Sequence, residues 1–185
     1  PVLVLAAAGS GKTRVITRRI GHLVRLGVPA WSILALTFTN KAAAEMRERV
    51  GVLLGQEGSD PRRTRGLTIG TFHSLCARLL RRYADDPALE FLKPDFTIYD
   101  TSDQVALMKR TSKDLDLTTR NWNPRSVLNA ISGAKNDLQD ADAYAASAMD
   151  FYGKQVARIY GAYQQAMRSA GAVDFDDLLL LTAKL

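Results

Sequence analysis

The sequence predicts an α/β fold, with a parallel sheet in the first part of the chain and an almost entirely helical region after it. Before residue 85, three short apolar runs each precede a helical pattern, which is typical of parallel strands joined by right-handed crossovers. After residue 85 apolar residues recur at helical spacing, apart from a short strand pattern at Phe96 to Tyr99. We therefore predict a domain boundary near residue 85.

The first apolar run, Pro1 to Leu5, leads into the segment Ala6-Ala7-Ala8-Gly9-Ser10-Gly11-Lys12-Thr13. Two glycines allow a tight turn that points backbone N–H groups inward, and a helix that begins at Lys12 adds its positive dipole end. This pattern predicts a phosphate-binding loop, in which Lys12 reaches the β and γ phosphates and the Thr13 hydroxyl holds a Mg²⁺ ion. Ala6 replaces the first motif glycine. The alternative is a glycine-rich turn that precedes a lysine by chance.

The other elements of the first part follow in order. The loop is followed by a helix with one apolar face, which ends near Gly27 and Pro29: Val15, Ile16, Ile20, Leu23 and Val24. A strand at Ile33 to Phe38 precedes a helix capped by Asn40, whose apolar residues are Ala43, Met46, Val50 and Leu53. A third strand at Leu67 to Gly70 precedes a helix through Leu75, Leu79, Leu80 and Tyr83.

Four helices are predicted in the second part. Thr101 and Gln104 match a capping box, and Asn123-Pro124 matches the start of a helix through Val127, Ile131 and Leu138. The next helix has a stripe that we interpret as core: Tyr152, Val156, Ile159, Tyr160, Tyr163 and Met167. Asp174 caps the last helix, and we expect Asp176 and Asp177 to favour its dipole rather than hold a metal.

Composition narrows the class of protein. The 185 residues are 46% hydrophobic and 24% charged, and no apolar segment approaches membrane-spanning length. The single cysteine, Cys76, cannot form an internal disulfide, so we expect a cytoplasmic protein with no membrane partner. Residues 1–100 hold 15 Lys and Arg against 9 Asp and Glu, whereas residues 101–185 hold 10 of each. This basic excess is consistent with a polyanionic partner and equally with a solvated surface.

Polar clusters follow all three predicted strands, and the carboxyl ends of parallel strands share one edge of a sheet. The clusters are Gly9 to Thr13, Phe38-Thr39-Asn40-Lys41 and Thr71-Phe72-His73-Ser74. Aromatic rings beside helix-start donors suit single-stranded nucleic acid, whose bases stack and whose phosphates accept hydrogen bonds. For single residues a structural role stays open: Phe38 and Phe72 as core aromatics, His73 as a structural histidine and Asn40 as a helix cap.

Four segments, in this order, resemble the N-terminal motifs of UvrD/Rep/PcrA-type superfamily 1 DNA helicases. They are the phosphate loop, Ala35 to Met46, Gly70 to Ser74, and Val173 to Leu179. The resemblance implies an incomplete RecA-like P-loop NTPase domain at residues 1–85, an inserted helical subdomain at residues 86–172, and a helix leading back at residues 173–185. It implies a motor that uses ATP and Mg²⁺ to move 3′ to 5′ along single-stranded DNA and to open duplex junctions.

The resemblance also implies residue roles. Lys12 and Thr13 act on the phosphates, and Arg14 stacks on the adenine, although a solvated arginine is an equal alternative. The residues that contact the DNA strand are Phe38, Thr39, Asn40, Thr71, Phe72 and His73. The family's adenine-reading glutamine, its Asp-Glu pair and its second RecA-like domain have no counterpart here, so we expect these residues alone to lack ATPase activity. Two alternatives are a P-loop ATPase without a nucleic-acid role and a non-catalytic single-strand-binding module.

Overall fold

The structure is a computed structural model that describes residues 3–5, 7, 9–55, 65–89, 91–117 and 121–185. Within these ranges the chain forms two compact units, residues 1–74 and residues 75–185. Both parallel pairs of strands and the many helices agree with the predicted α/β class. None of the helices in the described ranges is both long enough and apolar enough to span a membrane.

The first unit is a two-stranded parallel sheet with two helices. In chain order it contains α1 (Lys12–Arg25), β1 (Leu34–Thr37), α2 (Asn40–Gly55), β2 (Thr68–Thr71) and the start of α3 (Phe72–Arg82). Strands β1 and β2 pair in parallel, with Leu34 opposite Thr68 and Thr37 opposite Thr71. The core lies between α1, α2 and the sheet, and its buried residues are Ile20, Val24, Ile33, Ala35, Met46, Val50 and Leu54.

Residues 3–5, the described part of the strand predicted before the phosphate loop, form no strand. Pro1 and Val2 lie outside the described residues, and residues 3–5 are exposed and belong to no strand. A strand is stable only when a neighbour satisfies its backbone groups, and residues 3–5 have no such ladder. The absence of a strand at residues 3–5 also explains the exposure of Val15 and Ile16. We predicted these two residues on the buried face of α1, but they are 54% and 41% exposed.

Two helix caps differ by one residue from their predicted positions. The hydroxyl of Thr39, rather than the side chain of Asn40, accepts the Ala42 backbone N–H at 3.1 Å at the start of α2. Asp100, rather than Thr101, caps α4 (Thr101–Asp114) and forms a capping box with Asp103. In both cases the observed cap lies one residue earlier, where an oxygen can reach the N–H groups of the first turn.

The second unit is mainly helical and has two apolar clusters. After α3 it contains, in chain order, β3 (Thr97–Ile98), α4, α5 (Pro124–Asn136), α6 (Ala141–Ser147), α7 (Phe151–Ser169), β4 (Ala172–Val173) and α8 (Phe175–Lys184). The first cluster joins α4, α5 and α7 and includes Met108, Ile131, Ile159, Tyr160, Tyr163 and Met167. The predicted core stripe of α7 is therefore confirmed, except that Tyr152 is 49% exposed.

The second cluster joins α3 to α8. Cys76, Ala77 and Leu80 of α3 pack in one core with Leu178 and Leu181 of α8. Helix α3 therefore packs mostly within the second compact unit, which begins at Leu75. The apolar face of α3 is buried against residues of the second unit, and burial of this face explains why the helix packs there. The domain boundary near residue 85 remains a prediction.

Other predictions for the helical region have mixed outcomes. Asn123 caps α5 with Pro124 in its first turn, and Asp174 caps α8, both as predicted. Leu138 is not part of α5, because the helix ends at Asn136 and Leu138 takes a positive φ of 57° with 60% of its surface exposed. Helix α6 and strand β4, which pairs in parallel with the predicted strand at Phe96 to Tyr99, have no counterpart in the sequence-based prediction.

Candidate functional site

The predicted phosphate loop has the backbone that its glycines allow. Gly9 has φ of 76° and Gly11 has φ of 87°, both in the left-handed region that other residues rarely adopt. Gly11 lies at the N-cap position of α1, and no side chain caps the helix there. The N–H groups of the first turn therefore keep the capacity to bind an anion, as at other helix N-termini.

The carbonyl oxygen of Ala7 accepts the side-chain hydrogen bonds that stabilise the loop. It accepts hydrogen bonds from the Ser10 hydroxyl at 2.6 Å and from Lys12 Nζ at 2.7 Å. The ammonium group of Lys12 thus lies against the backbone of the loop. Ala6 and Ala8, also predicted to bind nucleotide, lie outside the described residues.

A hollow of about 420 Å³ lies beside the loop. It is lined by Gly9, Ser10, Gly11, Arg14, Val15 and Arg18. Thr13 is half-buried in the first turn of α1, and Arg14 is exposed. The lining combines backbone donors with two guanidinium groups, a set that suits an anion, whereas Lys12 and Thr13 are not part of it. Arg18 was not predicted, although its spacing of four residues from Arg14 places both on one face of a helix.

The polar clusters after β1 and β2 lie side by side. Thr37 and Thr71, the last residues of the two strands, are register partners. The Thr37 hydroxyl donates to the Thr39 carbonyl at 3.0 Å and lies 3.4 Å from the Gly70 carbonyl, so the two strand ends are also linked by side chains. Two of the three predicted clusters therefore share one edge of the sheet. Because residues 3–5 form no strand, the phosphate loop's place at that edge remains a prediction.

The two aromatic residues at this edge are not core residues. Phe38 is 90% exposed and Phe72 is 50% exposed. Large apolar side chains are usually buried, so two exposed rings directly after two adjacent strands mark a surface that can bind a flat partner. Among the described residues, neither ring belongs to an apolar cluster.

Some polar residues of this edge form hydrogen bonds within the protein. Thr71 is buried, and its hydroxyl accepts the Ser74 N–H at 3.2 Å while the Ser74 hydroxyl donates to the Thr71 carbonyl at 2.8 Å. Asn40 is exposed and His73 is half-buried. With Asn40 not acting as the cap of α2, its amide is available for a ligand, whereas Thr39 and Thr71 have structural roles as well.

The strongest electrostatic feature lies in the second unit and was not predicted. Lys135 Nζ lies 2.7 Å from Asp174 Oδ2 and 2.8 Å from Asp177 Oδ1, and the three side chains are almost fully buried. Burial raises the pKa of Asp177 to about 6, although the nearby Lys135 opposes the shift. Burial alone would lower the pKa of Lys135, but the two carboxylates raise it above its ordinary value.

This cluster changes how Asp177 is interpreted. The carboxylate does lie in the first turn of α8, but its partner is a buried lysine as well as the helix dipole. In the described part of the chain, no group of three or more His, Cys, Asp or Glu side chains is arranged to hold a metal. A lone lysine late in a predicted helix carries no signal that distinguishes it from a solvated one, which explains why the sequence did not reveal the cluster.

Comparison with known proteins identifies the family to which the chain belongs. A family model described as the UvrD/REP helicase N-terminal domain matches residues 1–185. The chain therefore belongs to the UvrD/REP helicase N-terminal domain family, as its motifs indicated.

Particular relatives are similar over the whole chain. The ATP-dependent DNA helicase PcrA of Leuconostoc citreum is 49% identical over 186 residues, which cover 100% of this chain and 24% of that protein. PcrA of Bacillus subtilis is 42% identical with the same coverage, and the ATP-dependent DNA helicase UvrD1 of Mycobacterium tuberculosis is 45% identical over 97% of this chain. The chain thus spans about a quarter of the length of these relatives.

Proposed function

We propose that this chain is the part of an ATP-dependent DNA helicase that binds ATP and contacts single-stranded DNA. The observation that supports this most is the sheet edge at which β1 and β2 end together with Phe38 and Phe72 exposed. The same unit carries the Gly9 to Thr13 loop. Relatives that bear the name ATP-dependent DNA helicase are about four times longer, so the remaining helicase domains are partners of this chain.

The nucleotide would be held by the loop and the start of α1. Backbone N–H groups of Gly9 to Thr13 and the Lys12 ammonium would neutralise the phosphates, and the Thr13 hydroxyl would be a ligand of Mg²⁺. Arg14 would stack on the adenine, as the family resemblance implies. When bound, ATP supplies the free energy of γ-phosphate cleavage, and the chain's contribution is to bind and orient it.

The DNA strand would lie along the edge formed by β1 and β2. Its bases would stack on Phe38 and Phe72, and its phosphates would accept hydrogen bonds from Thr39, Asn40 and His73 and from the backbone near Thr71. Stacking tolerates any base, which suits a protein that moves along a strand of arbitrary sequence. Movement from 3′ to 5′ and opening of duplex junctions follow from the family resemblance.

The domain assignment belongs to the same proposal. Residues 1–85 would be part of a RecA-like domain, residues 86–172 a helical subdomain inserted into it, and residues 173–185 the helix that leads back. Hydrolysis needs carboxylates to hold Mg²⁺ and activate water, and arginines for the γ phosphate, which the rest of the protein would supply. The 185 residues alone would therefore not hydrolyse ATP.

The test is the ATPase activity of the full-length protein that carries these residues, with and without single-stranded DNA. We expect DNA to stimulate hydrolysis and Lys12→Ala to reduce the stimulated rate by about 100-fold or more, because the ammonium stabilises charge in the transition state. Lys109→Ala, which removes an exposed lysine from α4, is the control and should leave the rate unchanged.

Two results would contradict the proposal. Hydrolysis that Lys12→Ala abolishes but DNA does not stimulate would favour a P-loop ATPase without a nucleic-acid role. DNA binding without hydrolysis, unaffected by Mg-ATP, would favour a non-catalytic single-strand-binding module.

A further inference from the structure

We propose that Trp31 and two arginines beside it, Arg25 and Arg65, form a second contact site for single-stranded DNA. The three side chains line one hollow of about 330 Å³ at the end of the first unit's sheet where β1 and β2 begin. Phe38 and Phe72 directly follow the opposite ends of the same strands. The inference rests on the proposed function, because the ligand is the same DNA strand.

The backbone brings Trp31 and Arg65 together from two segments. Trp31 lies in a short 3₁₀ turn, Ala30–Ser32, three residues before β1, and Arg65 lies three residues before β2. Gly66, next to Arg65, has φ of 91°, and a Cβ placed on it would lie 2.9 Å from the Trp31 Cβ. The chain before β2 therefore passes directly against Trp31, an approach that glycine allows because it has no side chain.

Hydrogen bonds hold the backbone around Trp31. The Ser32 hydroxyl donates to the Pro29 carbonyl at 2.7 Å. The Thr68 N–H donates to the Ile33 carbonyl at 3.2 Å, which joins the first residue of β2 to the residue before β1. The indole is therefore attached to a backbone that is fixed before a ligand binds, which lowers the entropic cost of binding.

The side chain of Trp31 is presented to solvent. It is 75% exposed and belongs to none of the apolar clusters of the described residues. Tryptophan is highly buried on average, because its ring carries a large apolar surface. An indole in this position suits a partner that stacks on the flat face of the ring.

The surroundings of the hollow are positively charged. Residues 1–74 hold 11 Lys and Arg against 4 Asp and Glu, and the described residues that line the hollow include two arginines and no carboxylate. The end of α1 does not depend on Arg25, because backbone N–H groups already donate to carbonyls of its last turns: those of His22, Leu23 and Val24. The charge of Arg25 therefore suits an anionic ligand.

These features favour a nucleotide unit of a single strand over other anions. Guanidinium groups bind phosphate through paired hydrogen bonds, and an exposed aromatic ring stacks on any base. An acidic peptide would satisfy the two arginines but would offer no base to the indole. In a duplex the bases are already stacked on each other, so a single strand is the form whose bases can reach Trp31.

The two contact sites are separated by the length of the strands. Strands β1 and β2 have four residues each, so their two ends lie about 13 Å apart. At this distance, replacements at Trp31 and at Phe38 should act independently on the affinity for DNA.

The test uses the full-length protein and measures its dissociation constant for a long, labelled, single-stranded oligonucleotide by fluorescence anisotropy. We expect Trp31→Ala to raise the dissociation constant by about fivefold or more, because one base loses its stacking platform, and Trp31→Phe to keep most of the affinity. Trp31→Ala combined with Phe38→Ala should multiply the two single effects. Leu26→Ala, at an exposed apolar residue next to Arg25, is the matched control and should have no effect.

The arginines are tested by the salt dependence of the same affinity. Arg25→Gln and Arg65→Gln should each reduce the slope of log affinity against log salt concentration by about 0.7, because each variant loses one phosphate contact. Arg110→Gln, at an exposed arginine of α4, removes the same charge elsewhere and should leave the slope unchanged.

Three results would overturn the proposal: Trp31→Ala binding DNA as tightly as Leu26→Ala, Trp31→Ala failing to fold, or both arginine variants keeping the wild-type slope. Unchanged DNA affinity together with weaker binding of a poly-glutamate peptide would also overturn it, and would assign the hollow to a protein partner. Weaker DNA binding by Phe38→Ala alongside any of these results would leave the proposed function intact. A wild-type protein that does not bind single-stranded DNA would overturn both.

Discussion

At the scale of single residues, exposure separates binding residues from structural ones. Phe38 is 90% exposed at the end of a strand, where the sequence alone left a core role open. Its ring belongs to none of the apolar clusters of the described residues, which is consistent with a role in binding a partner. Exposed aromatic rings next to the N–H groups at a helix N-terminus are typical of sites that bind single-stranded nucleic acid.

Replacement of Phe38 tests this directly. We expect Phe38→Ala to weaken single-stranded DNA binding by about 1–3 kcal/mol, because one base loses its stacking platform. Leu26→Ala, which removes an exposed apolar side chain at the end of α1, is the matched control and should leave affinity unchanged. Fluorescence anisotropy with a labelled oligonucleotide measures both. Equal affinities for Phe38→Ala and the wild type would show that this ring does not contact the strand.

The buried Asp177 predicts a dependence of stability on pH. Its pKa is raised from 3.8 to about 6, so the folded state binds a proton more tightly than the unfolded state does. The stabilisation from this proton is full below about pH 4 and is lost as the pH rises through about 6. The groups that face Asp177 are Lys135, Asp174, Asp176, Tyr160, Tyr163 and Gln164.

Asp177→Asn should remove that contribution. We expect the unfolding free energy of the wild type to fall relative to that of the variant as the pH rises from about 4 to about 7. The reason is that the amide of the variant does not ionise. Urea unfolding at several pH values, followed by circular dichroism, measures the difference. A difference that stays constant over this range would mean that Asp177 keeps its ordinary pKa.

At the scale of elements, caps decide where helices begin. Thr39 and Asp100 each cap a helix one residue before the predicted position, and in both places two adjacent residues have suitable side chains. Sequence patterns identify such a start to within a residue or two, and backbone geometry selects the cap. For Asn40 the difference bears on the proposed DNA contact, since its amide does not cap the helix.

Helix α5 offers a clean test of a cap. The Asn123 side chain accepts the backbone N–H groups of Arg125 at 2.9 Å and Ser126 at 3.4 Å. We expect Asn123→Ala to lower the unfolding free energy of the helical unit by about 1 kcal/mol, because these N–H groups lose their acceptor. Asn121→Ala, an exposed asparagine two residues earlier, should have no effect in the same urea titration. Equal losses for both variants would show that the cap is not what stabilises this helix.

At the scale of the whole molecule, the sequence predicted the fold class and the order of most elements. Alternation of apolar runs with helical patterns predicted β1, β2 and their helices, and the ring stripe of α7 predicted its buried face. Elements of two residues, such as β4, and short helices such as α6 have too little sequence for a periodic pattern. Within the strand predicted at Pro1 to Leu5, the described residues 3–5 form no strand for another reason: the stability of a strand depends on its neighbours in the sheet.

The candidate site was predictable to a similar degree. Local motifs predicted a phosphate loop at Gly9 to Thr13, whose two glycines do take a positive φ, and drew attention to Phe38 and Phe72, which are exposed. The Lys135 cluster depends on residues 39 positions apart, and only the packing of α5 against α8 brings them together. The place of the phosphate loop at the edge formed by β1 and β2 depends in the same way on tertiary structure.

The central claim is that one edge of the sheet binds a nucleotide and a DNA strand side by side, so that each affects the affinity for the other. The most direct measurement is the affinity of the full-length protein for single-stranded DNA with and without a non-hydrolysable ATP analogue. We expect the analogue to change the DNA dissociation constant by about fivefold or more. Lys12→Ala should abolish this effect of the analogue. Phe38→Ala should weaken DNA binding but leave the effect of the analogue unchanged. A dissociation constant that the analogue leaves unchanged in the wild type would contradict the account.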